Sequence, residues 1–231
     1  MEVIDGSTAR LADRIAMEEY GLSSLALMHR ASKAVADHIC QHILPGAETE
    51  NGKAVPVTVL CGVGNNGADG LCIARLLQAA KVEVTVTVCA DPLAATWEWL
   101  HQCSECRRIG ISIRKYVPGQ DWQTEGILVD AVFGVGLNRP VKGQYADCIK
   151  EVAALSFAHV VAVDIPSGID ADSGRKHGVA LRADTTVTIG KCKYGLLHGE
   201  GAKYSGRVVV RRIGIPTQAY QKALASHSKT V

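Results

Sequence analysis

Apolar and polar positions change period several times along the 231-residue chain. Leu25, Met28, Val35, Ile39 and Ile43, with Ser32 among them, recur at the three- and four-residue steps of one helix face. They predict a helix through "SSLALMHRASKAVADHICQHILPG", ended by Pro45. A shorter helix is predicted through "STARLADRIAMEEYG", capped by Ser7 or Thr8 and closed at Gly21. "GAETENGK" reads as a polar connector. Beyond it the pattern alternates. "VPVTVLC" predicts a strand, residues 70–80 a helix, "VEVTVTVC" a strand, residues 92–109 a helix and "ISIRKY" a strand. "GILVDAVFG" and "HVVAVD" read as buried strands flanking a helix in "YADCIKEVAAL", and "TTVTIG" and "GRVVVRRIG" complete the set.

Strands this apolar and β-branched, alternating with helices, imply a mostly parallel sheet covered on both faces. The expected class is α/β, a Rossmann-like three-layer α/β/α sandwich. The even alternation favours one domain over residues 1–216. Residues 217–231 are expected to be a loosely held polar tail.

Composition changes this picture little. Hydrophobic residues at 47% and charged residues at 21% are the balance of a soluble globular protein. A net charge of +2 argues against nucleic acid or a membrane surface as partner. No apolar run reaches the length of a membrane span, and "MEVIDGSTARLADRI" lacks the apolar core of a secretory leader. The expected compartment is the cytoplasm. Seven of the eight cysteines fall within apolar patterns or at their ends, where a thiol acts as a small hydrophobe. In "HQCSECRR", Cys103 and Cys106 form one C-x-x-C near His101. Without a second ligand pair, packing on one helix face is favoured over a zinc or redox site.

In an open parallel sheet, ligands bind beyond the carboxyl ends of the strands. Three unusual turns fall at such ends: Gly62–Gly70 ("GVGNNGADG"), Phe133–Pro140 ("FGVGLNRP") and Asp164–Gly168 ("DIPSG"). The first fits G-x-G-x-x-G at Gly62, Gly64 and Gly67. Alone, that pattern is as compatible with an ordinary glycine turn as with a nucleotide site. Three such turns with polar tips point to one crevice.

Asp130, set among Ile127, Leu128, Val129 and Ala131, would cost several kcal/mol if buried as an unpaired carboxylate. It requires either an Arg or Lys partner or a bound cation with oxygen ligands, for which Asn66 and Ser167 stand on neighbouring turns. Asp69 disfavours a dehydrogenase. A carboxylate at a helix N-terminus competes with phosphate, unless it caps the helix. Asp91 is also a poor ribose acid, since it precedes Pro92.

"GVGNNGADGLCIARLL", "LVDAVFGVGLNRPVKGQYADCI", "VVAVDIPSGIDADSG" and the stretch from "VALRADTTVTIG" to "RRIGIP" together resemble the NAD(P)H-hydrate epimerase family, the YjeF N-terminal domain. The likeness runs from "LADRIAMEEYG" to Pro216. Three positions depart from the usual pattern: Ala68 replaces a second glycine, and His29 and Ser32 stand where a Glu and a Gly are common.

The resemblance implies an enzyme that interconverts the R and S forms of NADHX and NADPHX, hydrated at C6 of the nicotinamide ring. It implies substrate-binding turns at Asn65, Asn66, Gly67, Ala68 and Asp69 and at Gly134, Val135, Gly136, Leu137, Asn138, Arg139 and Pro140, with a further substrate contact at Asp164. It also implies one potassium ion per subunit on Asn66, Asp130 and Ser167, a homodimer, and an NAD(P)H-hydrate dehydratase acting alongside. Asp164 is the candidate acid–base group, giving a proton to the leaving hydroxyl and taking one from returning water; the competing role is an Asx-type turn before Pro166. Relatives of this fold that serve as scaffolds or bind apolipoprotein supply the rival function, a non-catalytic binding module. Two other features are expected to be structural. "DADSG" at 170–174 lacks the later Glu of a calcium loop, and Arg211 and Arg212 suit a solvated edge.

Overall fold

The computed structural model describes residues 2–47 and 55–227. Its first half runs β1 (Val3–Ile4), α1 (Gly6–Tyr20), α2 (Ser24–His38), β2 (Val57–Cys61), α3 (Asn65–Ala79), β3 (Val84–Val88), α4 (Trp97–Arg108) and β4 (Ser112–Lys115). The second half runs β5 (Ile127–Ala131), α5 (Gly143–Ala153), β6 (His159–Val163), β7 (Thr185–Ile189), β8 (Cys192–Lys193), α6 (Tyr194–Leu197), α7 (Gly201–Tyr204), β9 (Arg207–Arg211) and α8 (Thr217–His227). Seven strands form one sheet in the order β4-β3-β2-β5-β6-β7-β9, every pair parallel.

Side-chain alternation builds the layers. Val57, Val59 and Cys61 of β2 pack with α2, α3 and α4, whereas Leu60 packs with Leu128 of β5 and with Ile149 and Val152 of α5. Helices therefore cover both faces, as these largely apolar strands require. The C-x-x-C cysteines belong to the first of these cores, where Cys106 Sγ donates to the Leu71 carbonyl at 3.3 Å. Arg211 lies on the edge strand β9 and reaches His38 Nδ1 at 3.1 Å. Asp170 closes its own turn, accepting from Ser173 N at 2.7 Å and Ser173 Oγ at 2.6 Å. Among the described residues, no helix is long and apolar enough to cross a membrane.

Several expectations need correction. Asp5, rather than Ser7 or Thr8, caps α1 by accepting from Thr8 N at 2.5 Å. The helix expected over 70–80 starts at Asn65, so the first glycine turn shrinks to the residues before it. The helix after Ser23 continues beyond His38 as a π-turn over Ile39–Ile43 and a 3₁₀ turn over Leu44–Gly46. The connector "GAETENGK" lies almost wholly outside the described residues. The polar tail is not loose through His227. Thr217–His227 is a helix whose Ala219, Tyr220 and Ala223 bury against Ala12, Ile15 and Ala16 of α1. Ala219, Tyr220 and Ala223, at three- and four-residue steps, gave that helix a packing face which its polar composition concealed.

Candidate active site

Strand order reverses between β2 and β5: the chain goes from β2 outward to β3 and β4, then returns to β5 and proceeds the other way. The loops leaving β2 and β5 must diverge there, and the resulting crevice is where open α/β sheets bind ligands. Gly62 and Gly67 allow the chain to turn tightly enough. A Cβ at Gly62 would lie 2.3 Å from the Val132 carbonyl oxygen, and one at Gly67 2.0 Å from the Gly62 carbonyl oxygen. Trp99 Nε1 donates to that Gly62 oxygen at 2.8 Å and fixes the turn from behind. The N-cap of α3 is Gly64, with no capping side chain. Asn65 and Asn66 bring the uncapped start of this helix to the crevice, a setting that favours an anion. Asp69 does not cap this helix. Burial, with Asp164 and Asp13 nearby, pushes its carboxyl well above the usual range, and Ser32 Oγ, 3.5 Å from Asp69 Oδ1, partly offsets this.

At the end of β5, Asp130 is fully buried. Its Oδ2 accepts from Ser167 N at 2.7 Å, and its Oδ1 accepts from Ser167 Oγ at 2.5 Å and from Val132 N at 3.3 Å. Among the described residues no Lys or Arg lies within ion-pair distance of it. Burial pushes its carboxyl up to about 6, against the opposing pull of the Ser167 bonds. Asn66 sits beside Gly134, and its buried Nδ2 has no hydrogen-bond partner. The Asn66 amide oxygen, the Ser167 hydroxyl and the Asp130 carboxylate form an oxygen donor set of the kind hard cations take, whereas the open capacity at Asn66 Nδ2 is an N–H donor that a cation does not satisfy.

At the end of β6, Asp164 adopts a left-handed backbone (φ 67°), a costly conformation for a residue with a Cβ. Its Oδ1 accepts from Thr188 Oγ1 at 3.1 Å, from Ile189 N at 3.0 Å and from the ammonium of Lys193. Lys193 is almost fully buried and also donates to the Ile189 carbonyl at 2.6 Å. The strained turn thus delivers a fixed ion pair with Oδ2 left over.

These groups surround a cavity of about 710 Å³, well within the range of small-molecule sites. Asn65, Asn66, Asp69, the segment 134–139 and Asp164 line it. Gly67 and Ala68 lie buried behind the helix start, and Pro140 is exposed beyond the lining. Asp130 and Ser167 lie beneath the wall. Asp13 and Arg10 of α1, Lys193 of β8 and Tyr220 of α8 also line the cavity, and the sequence reading missed all four. Asp13 could have been found: it sits one turn from both Ala9 and Ala16, on the stripe that buries α1.

Residues 24–195 match the family model described as YjeF-related protein N-terminus. The chain belongs to this family. It is 40% identical over 209 residues to the NAD(P)H-hydrate epimerase of Limosilactobacillus fermentum, covering 90% of this chain and 95% of that one. It is 35% identical over 222 residues to a bifunctional NAD(P)H-hydrate repair enzyme of Thermofilum pendens, covering 94% of this chain and 41% of that one. The crystal structure of yeast ynu0, YNL200c, has the same fold, with a TM-score of 0.81 at 22% identity, over 96% of this chain and 93% of that one. Asp13 and Tyr220 lie outside the span matched by the YjeF-related model. Two helices flanking that span complete the cavity.

Proposed function

We propose that this protein is an NAD(P)H-hydrate epimerase, an isomerase that interconverts the R and S forms of NADHX and NADPHX. The observation that carries the proposal is the ion-paired Asp164 in a cavity whose other end is the amide-rich start of α3. The α3 amides take the substrate diphosphate, and the hydrated nicotinamide ring lies against Asp164. Because three donors occupy Oδ1, Oδ2 is the oxygen that meets the C6 hydroxyl. Lys193 positions that carboxylate and limits its rotation. Loss of the hydroxyl leaves a cation delocalised over C6 and the ring nitrogen. Asp164, ion-paired with Lys193, can stabilise such charge electrostatically. The chemistry needs no hydride acceptor.

Asn66, Asp130 and Ser167 would hold a potassium ion, which adds positive charge beneath the phosphate-binding wall. The proposal includes a cytoplasmic homodimer acting alongside a dehydratase that consumes one epimer, consistent with the bifunctional relative. The test is to incubate purified protein with chromatographically separated R or S NADPHX. Each should approach the same mixture faster than without protein. Equal rates with and without protein would overturn the assignment.

A further inference from the structure

We propose that Asp13 is a second acid–base group of the epimerase site, serving the ring face opposite to the one served by Asp164. The inference rests on the activity proposed above. Inversion at C6 requires hydroxyl to leave one face and water to arrive at the other. A fixed carboxylate reaches only one face of a bound ring, and Asp164 is fixed by its three donors. A second proton carrier must therefore come from another wall of the cavity.

Asp13 meets that requirement. It lines the cavity from α1, whereas Asp164 enters from the end of β6. Among the described residues its carboxyl has no hydrogen-bond or ion-pair partner, unlike that of Asp164. Its backbone is nevertheless held firmly. Gly6 N at the start of α1 donates to Asp172 Oδ1, Arg10 donates to the Val135 carbonyl, and Ala12 and Ala16 pack against α8. The unpartnered carboxyl is thus presented by a braced helix. The charged and titratable groups around it are Arg10 on its own helix, Asp69 of α3, Asp164, Lys193 of β8 and the Tyr220 hydroxyl of α8. Burial pushes Asp13 up to about 6, Lys193 pulls it down and Asp164 adds to the rise. Asp13 thus holds a proton more readily than an exposed aspartate.

In one direction Asp13 gives its proton to the C6 hydroxyl. The C6–O bond breaks with its electron pair on oxygen, and water departs. On the other face a water lone pair forms the new C6–O bond while Asp164 accepts the proton. The reverse reaction exchanges the two roles, and exchange with solvent resets the pair. No atom is oxidised or reduced.

The test compares wild type, Asp13→Asn and Asp13→Glu, each checked for folding by circular dichroism. Asp13→Asn should lower kcat by about 100-fold or more, with little change in affinity for NADP used as an unreactive probe. Asp13→Glu should restore part of kcat. Wild-type kcat/KM should fall as pH rises through and above about 6 as Asp13 loses its proton, and Asp13→Asn should lack that limb. Near-normal kcat in Asp13→Asn, loss of NADP binding in step with activity, or persistence of the limb would each overturn the proposal. These outcomes differ from an inactive wild type, which would remove the epimerase assignment itself. Should Asp13→Asn fail to fold, a wild-type profile flat from about pH 5 to about pH 8 would still overturn it.

Discussion

Asp130 and Asp164 stand at the carboxyl ends of neighbouring parallel strands, yet the fold treats their charges in opposite ways. Among the described residues Asp130 receives only neutral donors, from Ser167 and Val132, and no cationic side chain pairs with it. Asp164 receives the Lys193 ammonium along with Thr188 and Ile189. Neutral dipoles soften the cost of a buried carboxylate but do not cancel its charge. A built-in ammonium cancels it permanently. The first arrangement suits an exchangeable ion, and the second suits a group that must hold one orientation. The two neighbouring strand ends thus hold one carboxylate by neutral dipoles and the other by an ammonium.

Breaking the second arrangement should have the largest effect. Asp164→Asn keeps shape and hydrogen bonding but cannot carry a proton. Turnover should drop by about two to four orders of magnitude while NADP still binds. Near-normal kcat in stopped-time chromatographic assays would remove Asp164 from the mechanism. Lys193→Met tests the positioning role. It strands Asp164 without its ion partner and should cost about 3 kcal/mol in stability, with kcat falling more than KM changes. Lys193→Arg should recover much of the stability in urea melts but less of kcat, since a guanidinium cannot take the ammonium's place against Asp164 Oδ1, Thr188 Oγ1 and the Ile189 carbonyl together. Equal kcat in all three proteins would show that the ion pair only holds the fold together.

The contrast was only half legible in the sequence. Asp130 announced itself as one carboxylate in an unbroken apolar strand, and the three polar turns could be placed at strand ends by pattern alone. The parallel sheet followed from strands such as Val57–Cys61, apolar on both faces. Lys193 gave no comparable sign. It reaches Asp164 because a two-residue strand, Cys192–Lys193, pairs with Val3–Ile4 near the start of the chain, and pairing that short leaves no periodic trace. Asp13 depends on the docking of α1 against α8, a contact between the two ends of the chain. The helix over Thr217–His227 was missed because its packing face is built from two alanines and a tyrosine rather than aliphatic residues.

The Asp130 arrangement is tested by changing the ion. Potassium should raise the thermal midpoint relative to a buffer whose only cation is a bulky amine, since a ligand bound to the folded state alone stabilises it. A gain of about 1 kcal/mol corresponds to about 2–4 °C for a domain of this size. Asp130→Asn should abolish the potassium effect whatever its own midpoint. The same midpoint for wild type in both buffers would assign Asp130 to the turn alone, held by Ser167.

The smallest effect is expected at Ser32, beside a third buried carboxyl that falls between the two extremes. Among the described residues Asp69 has no ammonium partner, and the side chain that helps it is Ser32, whose Oγ lies 3.2 Å from the Asp69 carbonyl and 3.5 Å from Oδ1. Ser32→Ala removes a buried hydroxyl at a fully enclosed position and should cost about 1 kcal/mol. The pH dependence carries the sharper information. Burial raises the folded-state pKa of Asp69 above its unfolded value, so its relative contribution to stability is greatest at low pH and is lost as pH rises through the folded pKa. The Ser32 hydroxyl opposes that loss by favouring the ionised form. Its removal should therefore cost more at about pH 8 than at about pH 5, where a larger fraction of Asp69 is neutral. Thermal melts of wild type and variant at both values measure the difference directly. An equal deficit at the two pH values would mean that Ser32 serves the backbone of α3 and leaves the Asp69 charge to its other neighbours.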